Sequence, residues 1–242
     1  MQLHIDQLTE AQFNKIARCD CKEVNLENLH TNTGFRKGVH WRHQCIKRNF
    51  YRIGAHNEAR DIVYQACKIA NMEVEHEPPG LYTGVAKAPA DLLIDGISDV
   101  FEHTAVDFTI TEVESDSALA AGSAKLPLVA ALAADQAKMT DHETQLRNHG
   151  FASFEFDKLP FVIETSGAWS VKAVKLWKRI KSSHKAAVAD GFASSTFLNT
   201  EQPHTWSAFT LGSWYPQRIS FSVRKWMARA VHAGINSAVL KD

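Results

Sequence analysis

The chain has 242 residues, enough for one sizeable domain or a core with appendages. Its 45% hydrophobic and 22% charged residues are those of an ordinary folded protein, which excludes a low-complexity chain, and no apolar run is long enough to span a bilayer. Net charge is zero, yet the charges are segregated: eight acids and no lysine or arginine run from Asp91 to Asp116.

Six lysines or arginines and no acid run from Arg36 to Arg52, and ten stand against Asp190 and Glu201 between Trp169 and His232. An acidic centre between basic segments suits a metal site beneath a phosphate-binding surface; the alternative is solvated faces without further meaning. The N-terminus, Met1 to Asp6, lacks the basic-then-apolar pattern of a secretory signal. The expected location is intracellular, in nucleus or cytoplasm, or virus-associated, with no membrane partner. There Cys19, Cys21, Cys45 and Cys67 are expected as thiols or metal ligands rather than disulfides.

In chain order, residues 1–18 read as a short amphipathic helix with Leu8, Phe13 and Ile16 on one side. Residues 19–55 show no clear period and read as loop-rich. Residues 56–70 form a helix through the stripe Ala59, Ile62, Val63, Ala66, Ile69 and Ala70. The alternating segment 72–77 reads as a strand stopped by Pro78-Pro79-Gly80. Two strands follow at 90–94 and 105–110, separated by a turn at Asp95-Gly96, and each carries one aspartate, Asp91 and Asp107.

A long helix starts near Pro127 and ends before Gly150, with Leu128, Leu132, Met139 and Leu146 as its expected buried side. Residues 151–156 and 160–164 look strand-like; 169–185 and 219–231 read as basic helices joined by a loop-rich stretch over 192–216. The order helix, three strands, helix, strand predicts an α/β core with a mixed sheet.

An ionised carboxylate inside an apolar strand needs compensation. Two on neighbouring strands suit one hard divalent ion, Mg²⁺ or Mn²⁺, with the backbone carbonyl of Phe108 as a further oxygen. Two aspartates capping turns or facing solvent would look the same in sequence.

The element order, with Pro89-Ala90-Asp91 entering one strand and Val106-Asp107 inside the next, resembles the PD-(D/E)XK nuclease superfamily. That family's lysine would stand where this chain has Thr109. Some members carry the lysine on the following helix, and Lys138 is then the candidate, the alternative being a solvated lysine paired with Asp135 or His142.

From about residue 19 onward, further segments resemble a nuclease-like domain at the C-termini of reverse transcriptase-like proteins of eukaryotic mobile elements. They are Arg52-Ile53-Gly54-Ala55-His56-Asn57-Glu58-Ala59-Arg60-Asp61, Glu77-Pro78-Pro79-Gly80-Leu81, Val106-Asp107-Phe108-Thr109, Val162 through Trp169, and Gln217-Arg218-Ile219-Ser220, in that order with Pro89-Ala90-Asp91. The resemblance implies DNA cleavage during element movement. It also implies a Cys/His cluster ahead of the Arg-His-Asn segment. Cys19, Cys21, His40 and Cys45 stand there and would form a structural Zn²⁺ site, with His30 and His43 competing for the fourth place and reduced thiols as the alternative.

Glu58 is a candidate extra acid of the site or else a surface acid. His56, Arg60, Lys172, Lys175 and Arg218 are candidate phosphate contacts, while Trp177 and Trp226 read first as packing residues.

The expected organisation is an N-terminal helix and zinc-binding segment over 1–50, a restriction endonuclease-like core over 51–168 and a basic helical extension over 169–242. The expected function is that of a metal-dependent DNA endonuclease, with an inactive nucleic-acid-binding module or an assembly protein as rivals. A homodimer is compatible with either.

Overall fold

The computed structural model describes residues 45, 49–78, 90–148, 156–194 and 210–239. Helix α1 (Asn49–Ile69) buries Ala55, Ala59, Ile62, Val63, Ala66 and Cys67, one stripe at helical spacing. It begins earlier than periodicity suggests, inside the stretch read as loop. Its first turns pack on the C-terminal helix, with Gly54 against the Trp226 ring. It ends on Asn71, whose φ of 56° lets the Asn71 and Met72 N–H groups bond back to Lys68 and Cys67.

Strands β1 (Val74–His76), β2 (Leu92–Asp95), β3 (His103–Thr111) and β4 (Asp157–Glu164) form one sheet in that order. The β1–β2 and β2–β3 pairs are antiparallel and β3–β4 is parallel, so the protein is α/β with a four-stranded mixed sheet. The parallel step needs a crossover, supplied by the short α2 (Asp116–Ala120) and the long α3 (Val129–Asn148). Helix α2 was not anticipated; Ser115 caps it by accepting the Ala118 N–H.

Strand alternation divides the chemistry. Val106, Phe108, Ile110, Leu159, Phe161 and Ile163 join α1, α4 (Val171–Ala189) and α5 (Leu211–Val239) in the apolar core. The other face of β3 and β4 carries Asp107, Thr109, Lys158 and Glu164, and α3 lies over it.

That polar face explains an error in the expected orientation of α3. Leu132 is exposed and Leu128 and Met139 are only half-buried, whereas Ala131, Asp135, Lys138 and His142 point at the sheet. A helix over charged strand residues turns its small and polar stripe inward. Leu146 lies among residues whose side chains are not described.

Helix α5 also starts earlier than expected and contains Pro216, which a helix interior normally rejects. Burial of Leu211, Trp214 and Tyr215 in the core holds that first stretch helical. Trp177 is likewise a core residue, edge-on to Trp169. Strand β4 starts at Asp157, ahead of the expected 160, and residues 151–155 lie outside the described residues.

Cys67 is a core thiol whose pKa burial pushes up to about 12. Cys45 is buried; Cys19, Cys21, His30, His40 and His43, with the predicted helix at 1–18, lie outside the described residues. Among the described residues no helix is long and apolar enough to cross a membrane.

Candidate functional site

Asp91 stands at the entrance to β2 and Asp107 in the middle of β3, and the antiparallel register brings them side by side. The Asp107 side chain is among the groups that lower the Asp91 pKa. Two ionised carboxylates at that separation repel unless a proton or cation lies with them.

Asp91 is tightly held. Its Oδ2 accepts the Phe108 N–H at 2.6 Å and lies 3.1 Å from His56 Nε2 on α1. Burial opposes its ionisation, but the His56 contact and the Phe108 N–H together hold its pKa below the usual aspartate value. His56 responds in the opposite sense. Burial disfavours its cation, yet bonds to Asp91 and to Asn57 Oδ1 raise its pKa. In an extended strand the N–H and C=O of one residue point to the same side, so the Phe108 carbonyl faces the Asp91 side as well.

Asp107 faces two lysines. Lys138 Nζ, from α3, is 3.0 Å from Asp107 Oδ2, and Lys158 Nζ, from β4, is 3.9 Å from the same oxygen. The lysine anticipated on the helix therefore does reach the aspartate strand. Lys158 escaped the sequence reading because β4 was started at 160, which left 158 outside any strand. A lysine two positions ahead of Pro160-Phe161-Val162-Ile163, on the parity of Pro160 and Val162, was the available signal.

Lys158 is buried, and desolvation lowers its pKa while Asp107 pulls it up. Beside it His142 is buried and held neutral, its pKa pushed down to about 4 by burial and then by the Lys158 charge. Further along α3, Asp135 is buried and its pKa raised by desolvation. Its Oδ1 and the Thr109 hydroxyl find no hydrogen-bond partner among the described residues. Thr109 thus lies beneath α3 where the resemblance would place a lysine.

Other candidates fall elsewhere. Glu58 does not join the aspartates: both its oxygens accept from Lys225, at 2.7 and 2.9 Å, and Trp226 Nε1 also donates to it. It clamps α1 to α5, and its pKa is lowered; burial acts against this, and the Lys225 and Trp226 bonds prevail. Arg60 Nη1 donates to Glu77 at 2.6 Å and its Nε to Asp61 at 3.0 Å, so its guanidinium is already engaged. Lys175 on α4 and Arg218 on α5 belong to helices packed on the sheet face opposite Asp107, whereas the charge of Lys172, at the start of α4, acts on Asp135 of α3. Lys175 is exposed and forms no ion pair among the described residues.

Among the described residues no group of three or more His, Cys, Asp or Glu side chains is placed to hold a metal ion. The oxygens on offer are two carboxylates and one strand carbonyl. That hard-oxygen set, too small for a protein-only cage, fits an ion such as Mg²⁺ or Mn²⁺ that keeps several waters and takes substrate oxygens. Comparison with protein-family models, curated proteins and solved structures finds no match to this chain.

Proposed function

We propose that the chain is a metal-dependent DNA endonuclease with a restriction endonuclease-like core of the PD-(D/E)XK type, associated with a mobile or viral element. The observation that carries this reading is the convergence of Asp91, Asp107 and Lys138 on one side of the sheet, with Lys138 Nζ 3.0 Å from Asp107 Oδ2. Two adjacent carboxylates with a lysine within reach are what phosphodiester hydrolysis needs: cation-binding oxygens and a positive group for the phosphate. The order helix, three strands, helix, strand, with the last two strands parallel, supports the fold assignment.

Asp91, Asp107 and the Phe108 carbonyl would hold Mg²⁺ or Mn²⁺. Bound there, the ion would lower the pKa of water and offset charge on the scissile phosphate. His56 and the Phe108 N–H fix Asp91 ionised and in one rotamer. Lys138, on the more exposed side of Asp107, would contact a non-bridging phosphate oxygen and align phosphorus for in-line attack by water. As the bond from water oxygen to phosphorus forms, the bond to the leaving sugar oxygen would break, the attacking water giving a proton to solvent and the leaving oxygen taking one from a solvent water. In the same reading Cys19, Cys21, His40 and Cys45 would hold a structural Zn²⁺, and the lysines of α4 with Arg218 would contact DNA.

The test is cleavage of supercoiled, linear and single-stranded DNA with Mg²⁺ or Mn²⁺. The parent should cut, and Asp107→Asn should lose about a hundredfold or more in rate. A folded parent that cleaves no form of DNA with either ion refutes the proposal.

A second reading, an inactive nucleic-acid-binding module on the same fold, is favoured by Thr109 and by the engagement of Glu58 with α5. Salt-dependent DNA binding unchanged in Asp91→Ala and Asp107→Ala, without cleavage by the parent, would establish it.

A further inference from the structure

Each aspartate of the pair already has a basic side chain of the protein beside it. His56 Nε2 lies 3.1 Å from Asp91 Oδ2, and the ammonium groups of Lys138 and Lys158 approach Asp107 Oδ2 at 3.0 and 3.9 Å. The two lysines differ in freedom. The Lys138 side chain is 35% exposed and can swing toward solvent; that of Lys158 is 5% exposed, enclosed between the sheet and α3.

Resting on the proposed function, we propose that Lys158 makes divalent-cation binding at the Asp91–Asp107 pair conditional on a substrate phosphate. The two aspartates and two lysines together carry no net charge. A divalent ion arriving alone meets no net attraction and a like charge that cannot leave, in a half-buried setting where screening is weak. A phosphodiester brings a negative charge, is itself attracted by both ammonium groups, and offsets part of the positive charge that the ion adds. Coupling of this kind is reciprocal: whatever factor the phosphate adds to cation affinity, the cation adds to phosphate affinity. Lys158 acts here through charge and position, whereas Lys138 is the residue free to touch substrate. Idle cation binding is thereby suppressed, and the ion is taken up where a phosphate waits.

The experiment titrates Mn²⁺ into the full chain and reads bound ion by electron paramagnetic resonance, with and without a short phosphorothioate duplex that keeps its charge but resists cleavage. Without DNA, Lys158→Met should bind Mn²⁺ roughly tenfold tighter than the parent, and Lys158→Arg within about twofold of it. The duplex should tighten Mn²⁺ binding to the parent by about tenfold or more, and to Lys158→Met far less.

An affinity in folded Lys158→Met equal to or weaker than the parent's overturns the inference, as does a duplex that leaves the parent's Mn²⁺ affinity unchanged. Should Lys158→Met not fold, Lys158→Gln, which keeps a polar end, removes the same charge and must tighten Mn²⁺ binding in the DNA-free protein. A parent that cleaves DNA with Mn²⁺ but shows no such coupling sinks this inference alone. A parent that takes up no Mn²⁺ with or without duplex overturns both it and the endonuclease reading.

Discussion

Replacing Asp107 with asparagine keeps shape and removes one charge, and the structure fixes what that removal leaves behind. Lys158 has its ammonium 3.9 Å from Asp107 Oδ2 and almost no solvent, with Lys138 at 3.0 Å on the same oxygen. At an effective dielectric near 20, a pair of unit charges at that spacing interacts by about 4 kcal/mol. Desolvation of both groups and the partial exposure of Asp107 reduce the net worth. Breaking a fully buried pair costs about 3–5 kcal/mol, so about 2 kcal/mol is expected for Asp107→Asn. Most of it comes from Lys158, since the exposed Lys138 contributes about 0.5 kcal/mol.

The assay is urea unfolding of the parent, Asp107→Asn, Lys158→Met and the double variant. In the Lys158→Met background the Asp107→Asn substitution should cost less than about 1 kcal/mol, giving a coupling energy of about 1–2 kcal/mol. An Asp107→Asn protein as stable as the parent, or a cost unchanged by Lys158→Met, would refute the claim that the two charges depend on each other. The cycle also guards the activity test, because a variant that loses cleavage by unfolding is recognised at once.

Three further outcomes follow from contacts elsewhere. His56 has a raised pKa, so its stabilising contact is complete below its ordinary value of 6.5 and fades as pH rises through the raised one. Asp91 has a lowered pKa, so its share is complete above its ordinary 3.8 and fades as pH falls through the lowered one. The melting temperature should therefore decline from pH 6 toward pH 8 in the parent and less steeply in His56→Gln; parallel profiles would contradict the pairing. Glu58→Gln should cost about 1 kcal/mol in thermal unfolding by weakening the clamp of α1 on α5, with the cleavage rate of the folded protein unchanged; a rate loss comparable to that of Asp107→Asn would return Glu58 to the site. Gly54→Ala sets a helix-propensity gain of about 1 kcal/mol against a Cβ 2.9–3.0 Å from three Trp226 ring atoms. The ring is pinned through its bond to Glu58, so overpacking of about 1–3 kcal/mol prevails and chemical denaturation should show a less stable protein; a stabilised variant would show that the ring can shift.

Strong periodicity made α1 and β3 legible, and the Asp91–Asp107 neighbourhood followed from placing two strands together. What stayed hidden depends on what lies across from a residue. The inward face of α3 could not be read from its own leucines, because the polar side of β3 and β4 decides which stripe turns in. Lys158 was hidden by the same circumstance, since a lysine within an apolar strand looks like a boundary until Asp107 is seen beside it. The contacts of Glu58 could not be read in advance because its partners, Lys225 and Trp226, lie more than 160 residues further along the chain. Pro216 inside α5 reads as a break until the burial of Leu211 and Tyr215 is known.

The polar seam beneath α3 bears on how the molecule breathes. Helices α1, α4 and α5 share the apolar core, whereas α3 meets the sheet through alanines and through Asp135, Lys138 and His142. An element held that way opens at lower free energy than the global unfolding of its domain. Amide protons of α3 should exchange with solvent ahead of those of α1 and β3. Since Lys138 rides on α3, each such excursion withdraws one ammonium from Asp107 while Lys158 stays on its strand. The face that carries the aspartates can thus be uncovered for a bulky ligand without dismantling the core beneath it.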